Sequence, residues 1–173
     1  MSVLRCESVE TLTEEVRSLY MASFPPEERI PYENTMRTFG KGGDLEVFYD
    51  DGTFIGFCYS FEYDGSVFLV YIATRPELRG KGYGAKILDE MRRIKAGRRM
   101  FLVLEGTDGS PEDAMRIRRR GFYLRNGCSD TGVRILSDDV YFDSMNVLGI
   151  NTEESMVRTV KMYEDIHNGR VQY

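Results

Sequence analysis

The segment VFLVYIATRPELRGKGYGAKILDEMRRI, residues 67–94, constrains the fold of this chain more than any other stretch. Val67–Ile72 is an unbroken run of β-branched, aromatic and aliphatic residues, the pattern of a strand buried on both faces, and Pro76 ends its pairing. Beyond the turn, Ile87, Leu88, Met91 and Ile94 recur at helical spacing among charged residues, which predicts an amphipathic helix ending near Gly97. The turn between them is RGKGYG. With Gly80, Gly82 and Gly84 carrying no Cβ, a diphosphate can approach the unpaired N–H groups at the positive end of the helix dipole.

Three glycines in five residues also describe any flexible turn, so the order strand, turn, helix carries the signal. GxxxxGK followed by Ser or Thr is absent, and Ala85 and Lys86 after Gly84 break the GxGxxG dinucleotide pattern. Phosphoryl transfer would need such a lysine or a set of Mg²⁺ ligands beside the loop. The turn instead resembles the acyl-coenzyme A loop of the GNAT superfamily of N-acetyltransferases, written Q/R-x-x-G-x-G/A, with Arg79, Gly82 and Gly84 filling it.

The rest of the chain orders itself around that unit. A short strand is expected over residues 2–6, then a helix after a capping box of Thr11 and Glu14, with Leu12, Val16, Leu19 and Tyr20 on one face. A proline-rich loop leads to a short helix near 32–39. Leu45–Tyr49 and Thr53–Tyr63 are joined by Asp50, Asp51 and Gly52, and Asp64-Gly65 turns the second into the strand from Ser66, giving an antiparallel meander. Met100–Leu104 is a further strand, ending at Glu105. Ser110, Pro111 and Asp113 then open a helix that runs to Asn126 and Gly127, with Gly121 inside it marking a bend or a close contact. Strands near 131–136 and 140–147 and a helix from Glu153 to His167 complete the chain.

This order is similar to the GNAT fold, an α/β (α+β) single domain whose mixed, mainly antiparallel sheet is flanked by helices. The resemblance covers residues 1–147, and 148–173 form a C-terminal helical extension packed on or beside it.

By resemblance, Ile72, Ala73 and Thr74 pair their backbone with the pantetheine arm. Arg79, Gly80, Lys81, Gly82, Tyr83 and Gly84 hold the pyrophosphate. FYLRNGC is similar to the family's Y-x-x-x-G-F segment; Tyr123 and Gly127 fill it, with Cys128 in place of the aromatic. An alternative register uses Gly121-Phe122 and puts Ile117 at the tyrosine position, but Asn126-Gly127 also supplies a helix stop and favours Tyr123. A phenol there can protonate the departing thiolate; its plain alternative is an aromatic packed in the core.

An amine of pKa near 10 is about one part in a thousand neutral at pH 7, so a base or water chain is wanted. Glu105, at the C-terminal end of a strand flanking the cleft, is the favoured base, and a solvated strand-end carboxylate is its equal alternative. Glu27 and Glu28, in the proline-rich loop with Tyr32, are the others, and there a plain surface role wins. His167 has little weight as a base; a lone histidine at the end of a terminal helix reads as exposed or as a C-cap.

The expected activity is transfer of an acetyl group from acetyl-CoA to a primary amine, on a small molecule or a peptide, by direct attack in a ternary complex. No metal is expected. The alternative is a non-catalytic acyl-CoA-binding module.

Composition supports this frame. A net charge of −5 argues against a nucleic-acid binder, and the run Arg116, Arg118, Arg119, Arg120 reads as a solvated helix face or, in part, as coenzyme phosphate ligands. Cys6, Cys58 and Cys128 form neither a CxxC pair nor a disulfide framework, which fits a reducing, cytoplasmic setting. No apolar run of membrane-spanning length and no signal-peptide pattern is present, so no membrane partner is expected; a homodimer is compatible.

Overall fold

The computed structural model describes residues 3–24, 26 and 29–170. The elements run β1 (Arg5–Val9), α1 (Glu14–Ser23), α2 (Tyr32–Met36), β2 (Gly43–Asp50), β3 (Thr53–Tyr63), β4 (Ser66–Thr74), α3 (Tyr83–Ile94), β5 (Arg99–Glu105), α4 (Asp113–Arg125), β6 (Ser129–Ser137), β7 (Val140–Leu148) and α5 (Glu153–His167). The strands form one sheet in the order β1-β2-β3-β4-β5-β7-β6, antiparallel throughout except between β4 and β5.

Turn chemistry sets the hairpins. Asp51-Gly52, Asp64-Gly65 and Asp138-Asp139 all have positive φ at both central residues, the two-residue turn whose twist matches that of the flanking strands. The sheet separates two cores. On one side α3 and α4 bring Ile87, Leu88, Met91 and Tyr123 against Val67, Leu69, Met100 and Leu102. On the other, α1 and α5 bring Val16, Leu19, Met156, Val160, Tyr163 and Ile166 against Phe57, Phe61, Phe68 and Phe101. The C-terminal helix therefore completes the second core, and each such fully buried side chain contributes about 1.5–3 kcal/mol.

Several local expectations shift. The first strand lies at Arg5–Val9 rather than 2–6, because its register against Leu45–Tyr49 is set by its partner. Thr13, not Thr11, caps α1, accepting from the Val16 N–H at 3.3 Å. Helix α4 starts at Asp113; its carboxylate accepts from the Asp108 and Gly109 N–H groups and staples the preceding loop instead of completing a box with Ser110. A Cβ on Gly121 would stand 3.0 Å from Nη1 of Arg125, the far end of an exposed side chain that can swing aside, so the close contact expected there is with a flexible neighbour. His167 is buried on the inner face of α5, with its ring 5.1 Å from that of Tyr163, and is not an exposed cap. Among the described residues no helix is long and apolar enough to cross a membrane.

Candidate active site

The site begins with a fault in β4. Phe68 faces the α1/α5 core and Leu69 the α3/α4 core, but Val70 and Tyr71 both face the α1/α5 side before Ile72 returns to the other. The register explains it: Tyr59 pairs with Tyr71 and Ser60 with Leu69, leaving Val70 as an extra residue, a β-bulge. On its other edge, β4 pairs with β5 only over Ser66–Phe68 and Arg99–Phe101. Beyond that point β5 continues to pair with β7, and the two parallel strands part. The gap is a cavity of about 100 Å³ between Leu69–Ile72 and Leu102–Leu104, walled by Phe24, Arg119 and Tyr123.

On the α3/α4 side the gap opens into a cavity of about 830 Å³. Its floor is Ile72, Ala73 and Thr74, and its end is the start of α3. Gly82 caps that helix with φ 83°, the left-handed conformation that glycine adopts without strain. The N–H groups of Tyr83, Gly84 and Ala85, which have no partner inside the helix, open onto the cavity. A helix start of this kind can hold an anion. Arg79, Arg118 and Arg119 line the same cavity, and none of them forms an ion pair with a described residue.

The three glycines differ in role. Gly80 and Gly82 have positive φ and open space where a Cβ would go. Gly84 is helical, and a Cβ there would stand 3.0 Å from Cζ of Phe122, so its bareness lets α4 pack against α3 rather than admitting phosphate. Tyr83 donates its hydroxyl hydrogen to Asp50 Oδ2 at 2.7 Å, which ties the cradle to the β2–β3 turn. Of the residues expected on the cofactor, Ile72, Ala73, Thr74, Arg79, Gly80, Gly82, Tyr83 and Gly84 line the cavity; Lys81 is exposed and does not.

Tyr123 stands where the gap meets the large cavity and lines both. Its placement follows from the end of α4: Gly127 has φ 82° and the Cys128 N–H donates to Tyr123 O at 3.0 Å, a Schellman stop that fixes the last turn. The Tyr123 hydroxyl makes no hydrogen bond to a described residue, and burial pushes the phenol above its ordinary pKa, with the Arg119 charge opposing. Ile117, the rival position, is 61% exposed.

The structure does not bring Glu105 into the gap. Its carboxylate accepts from Arg116 Nε at 3.0 Å and Nη2 at 2.9 Å, and Arg116 is held in turn by Asp108 and Asp113. Glu27 and Glu28 lie outside the described residues. Tyr32 lines a third cavity, of about 220 Å³, on the α1/α2 side of the sheet. Tyr71 is common to this cavity and the gap, while Phe24, Ile72, Arg119 and Tyr123 are common to the gap and the large cavity. The three spaces thus adjoin one another around the parting strands and share these residues as walls.

The arginine run divides by helical phase. Arg116 and Arg120 turn to carboxylates, the latter to Asp130 and Asp143, while Arg118 and Arg119 line the large cavity. The cavity stripe Met115, Arg118, Arg119, Phe122, Tyr123 and Asn126 follows a helical period, a signal already present in the sequence. No group of three or more His, Cys, Asp or Glu able to hold a metal occurs among the described residues.

The family model described as an acetyltransferase (GNAT) domain matches residues 41–127. No curated protein matches the chain. Among solved structures, an acetyltransferase of the GNAT family from Bacteroides thetaiotaomicron superposes with TM-score 0.75 at 23% identity, covering 97% of this chain and 99% of that one. A Bacillus subtilis acetyltransferase in complex with CoA gives 0.53 at 16%, covering 83% and 95%. An aminoglycoside 6′-N-acetyltransferase complexed with coenzyme A gives 0.59 at 14%, covering 80% and 92%.

Proposed function

The chain belongs to the GNAT acetyltransferase family, and on that premise we propose that it is an acetyl-CoA-dependent N-acetyltransferase acting on a primary amine by direct attack in a ternary complex. One observation carries the reading: the start of α3, the bulged strand and Tyr123 line two adjoining cavities at the point where β4 and β5 part. Coenzyme A complexes of the Bacillus subtilis and aminoglycoside relatives support the choice of donor.

In this scheme the pyrophosphate sits on the α3 N-terminus with Arg79, Arg118 and Arg119 around it, and the pantetheine arm runs along Ile72–Thr74 toward the gap. The acceptor enters from the Tyr71 side. The amine lone pair attacks the thioester carbonyl carbon, and the carbon–sulfur bond breaks. The thiolate takes a proton from Tyr123, and the proton lost by the nitrogen returns to the phenol through water, so the products are an amide and the coenzyme A thiol. Glu105, locked to Arg116, has no part in it. The buried phenol stays protonated at neutral pH and is a donor waiting for a partner. The free cysteines are consistent with a cytoplasmic location, which belongs to the same proposal.

The test is mass-spectrometric detection of acetylated products from an amine library incubated with acetyl-CoA and protein. Amine-dependent product absent from the Tyr123→Phe reaction at equal time supports the scheme; coenzyme binding without transfer to any amine supports a binding module instead.

A further inference from the structure

The third cavity has a chemistry of its own. Its walls are Tyr20, Tyr32, Phe57, Tyr59 and Tyr71, and no carboxylate stands among its described lining residues. Two of the tyrosine hydroxyls are engaged: Tyr20 receives the Ile30 N–H at 2.6 Å, and Tyr59 meets Thr38 Oγ1 at 2.5 Å. Of its two cations, Arg29 is committed to holding the loop, donating to Phe24 O at 2.7 Å and Met21 O at 2.8 Å. Arg17 is not. Its guanidinium lies 5.8 Å from the centre of the Tyr32 ring, is exposed, and forms no ion pair with a described residue.

Resting on the transferase reading above, we propose that the acceptor is a small amine with an aromatic or branched apolar body and a carboxylate, such as an apolar amino acid. Size supports this. An apolar cavity of about 150 Å³ holds one benzene, so about 220 Å³ takes a ring and a few further atoms, not an aminoglycoside or a folded peptide segment. Charge supports it too. A polyamine or other polycation would meet two arginines and no described carboxylate, whereas an acceptor carboxylate gives Arg17 a planar, two-point partner. The apolar body packs edge or face against the tyrosines, leaving the nitrogen at Tyr71, the residue shared with the gap where the thioester lies.

L-phenylalanine and 2-phenylethylamine separate the parts of this claim, since they share ring and amine and differ in the carboxylate. Calorimetric titration of the coenzyme A-saturated protein is expected to show phenylalanine binding about tenfold more tightly, the value of one charge-assisted pair. In Arg17→Ala that preference falls to about unity, and in Arg17→Lys part of it returns; turnover with acetyl-CoA follows the same order. Equal affinities in the wild type, or tighter binding of spermidine than of phenylalanine, overturn the proposal while the donor reading stands. Failure of acetyl-CoA itself to bind overturns the transferase reading, and this inference with it.

Discussion

A Cβ on Gly84 would stand 3.0 Å from Cζ of Phe122, so the helix that carries the phosphate cradle and the helix that carries Tyr123 touch at a point where only glycine fits without displacement. That contact joins the two helices of the proposed donor site. Gly84→Ala gains about 1 kcal/mol of helix propensity and loses about 1–3 kcal/mol to crowding. Net destabilisation of about 1 kcal/mol is expected in urea denaturation. Pairing it with Phe122→Leu should restore stability, with a coupling energy of at least about 0.5 kcal/mol; strictly additive effects would contradict the contact.

Tyr123→Phe removes a hydroxyl that no described residue hydrogen-bonds, so the fold and donor affinity are expected to hold while kcat falls about 100-fold. Because burial raises the phenol pKa, the wild-type rate should not decline on the alkaline side through loss of this proton below about pH 10. Steady-state rates from pH 6 to 10 for both proteins check this.

The arginines of α4 should separate into two kinds. Arg118 and Arg119 line the large cavity, and their replacement by alanine is expected in each case to weaken donor binding by about tenfold, with a shallower salt dependence. Arg120→Ala breaks pairs to Asp130 and Asp143 and should leave donor affinity alone, lowering stability by no more than about 1 kcal/mol. Isothermal titration at two salt concentrations and thermal melts decide the matter.

Burial lowers the pKa of His167, whose Nε2 is enclosed without a hydrogen-bond partner among the described residues; the Asn168 contact and the Asp138 charge oppose this, and the Arg37 charge adds to it. A histidine depressed in the fold binds fewer protons there than in the unfolded chain. Stability from this group is therefore full above about pH 6.5 and is lost as pH falls from there through the folded value. Urea midpoints between pH 5 and 8 should show that slope, and His167→Gln should flatten it.

Much of this was legible in the sequence for a simple reason: the elements with strong period or turn chemistry owe little to distant partners. The 67–94 unit, the Asp-Gly hairpins and the Glu153–His167 helix are of that kind. What was not legible depended on contacts between distant residues. Glu105 looked free at a strand end, but Arg116, eleven residues on, occupies it. Gly84 looked like part of the phosphate loop, but its partner is Phe122. Arg118 and Arg119 could be told from Arg116 and Arg120 only by knowing which face of α4 meets acids. The bulge at Val70 leaves no mark in a run of apolar residues; it emerges from the register with β3.

The central claim is a coenzyme A donor site on the N-terminus of α3, and calorimetric titration with acetyl-CoA of wild type and Gly82→Glu tests it most directly. Gly82 has φ 83° and open space beside it, so the new side chain adds bulk and negative charge in the cradle at a strain of about 1–2 kcal/mol. The account predicts one acetyl-CoA bound per wild-type chain and none by the variant, whose circular dichroism stays native. Absence of binding to wild type, or equal binding by both, would contradict it.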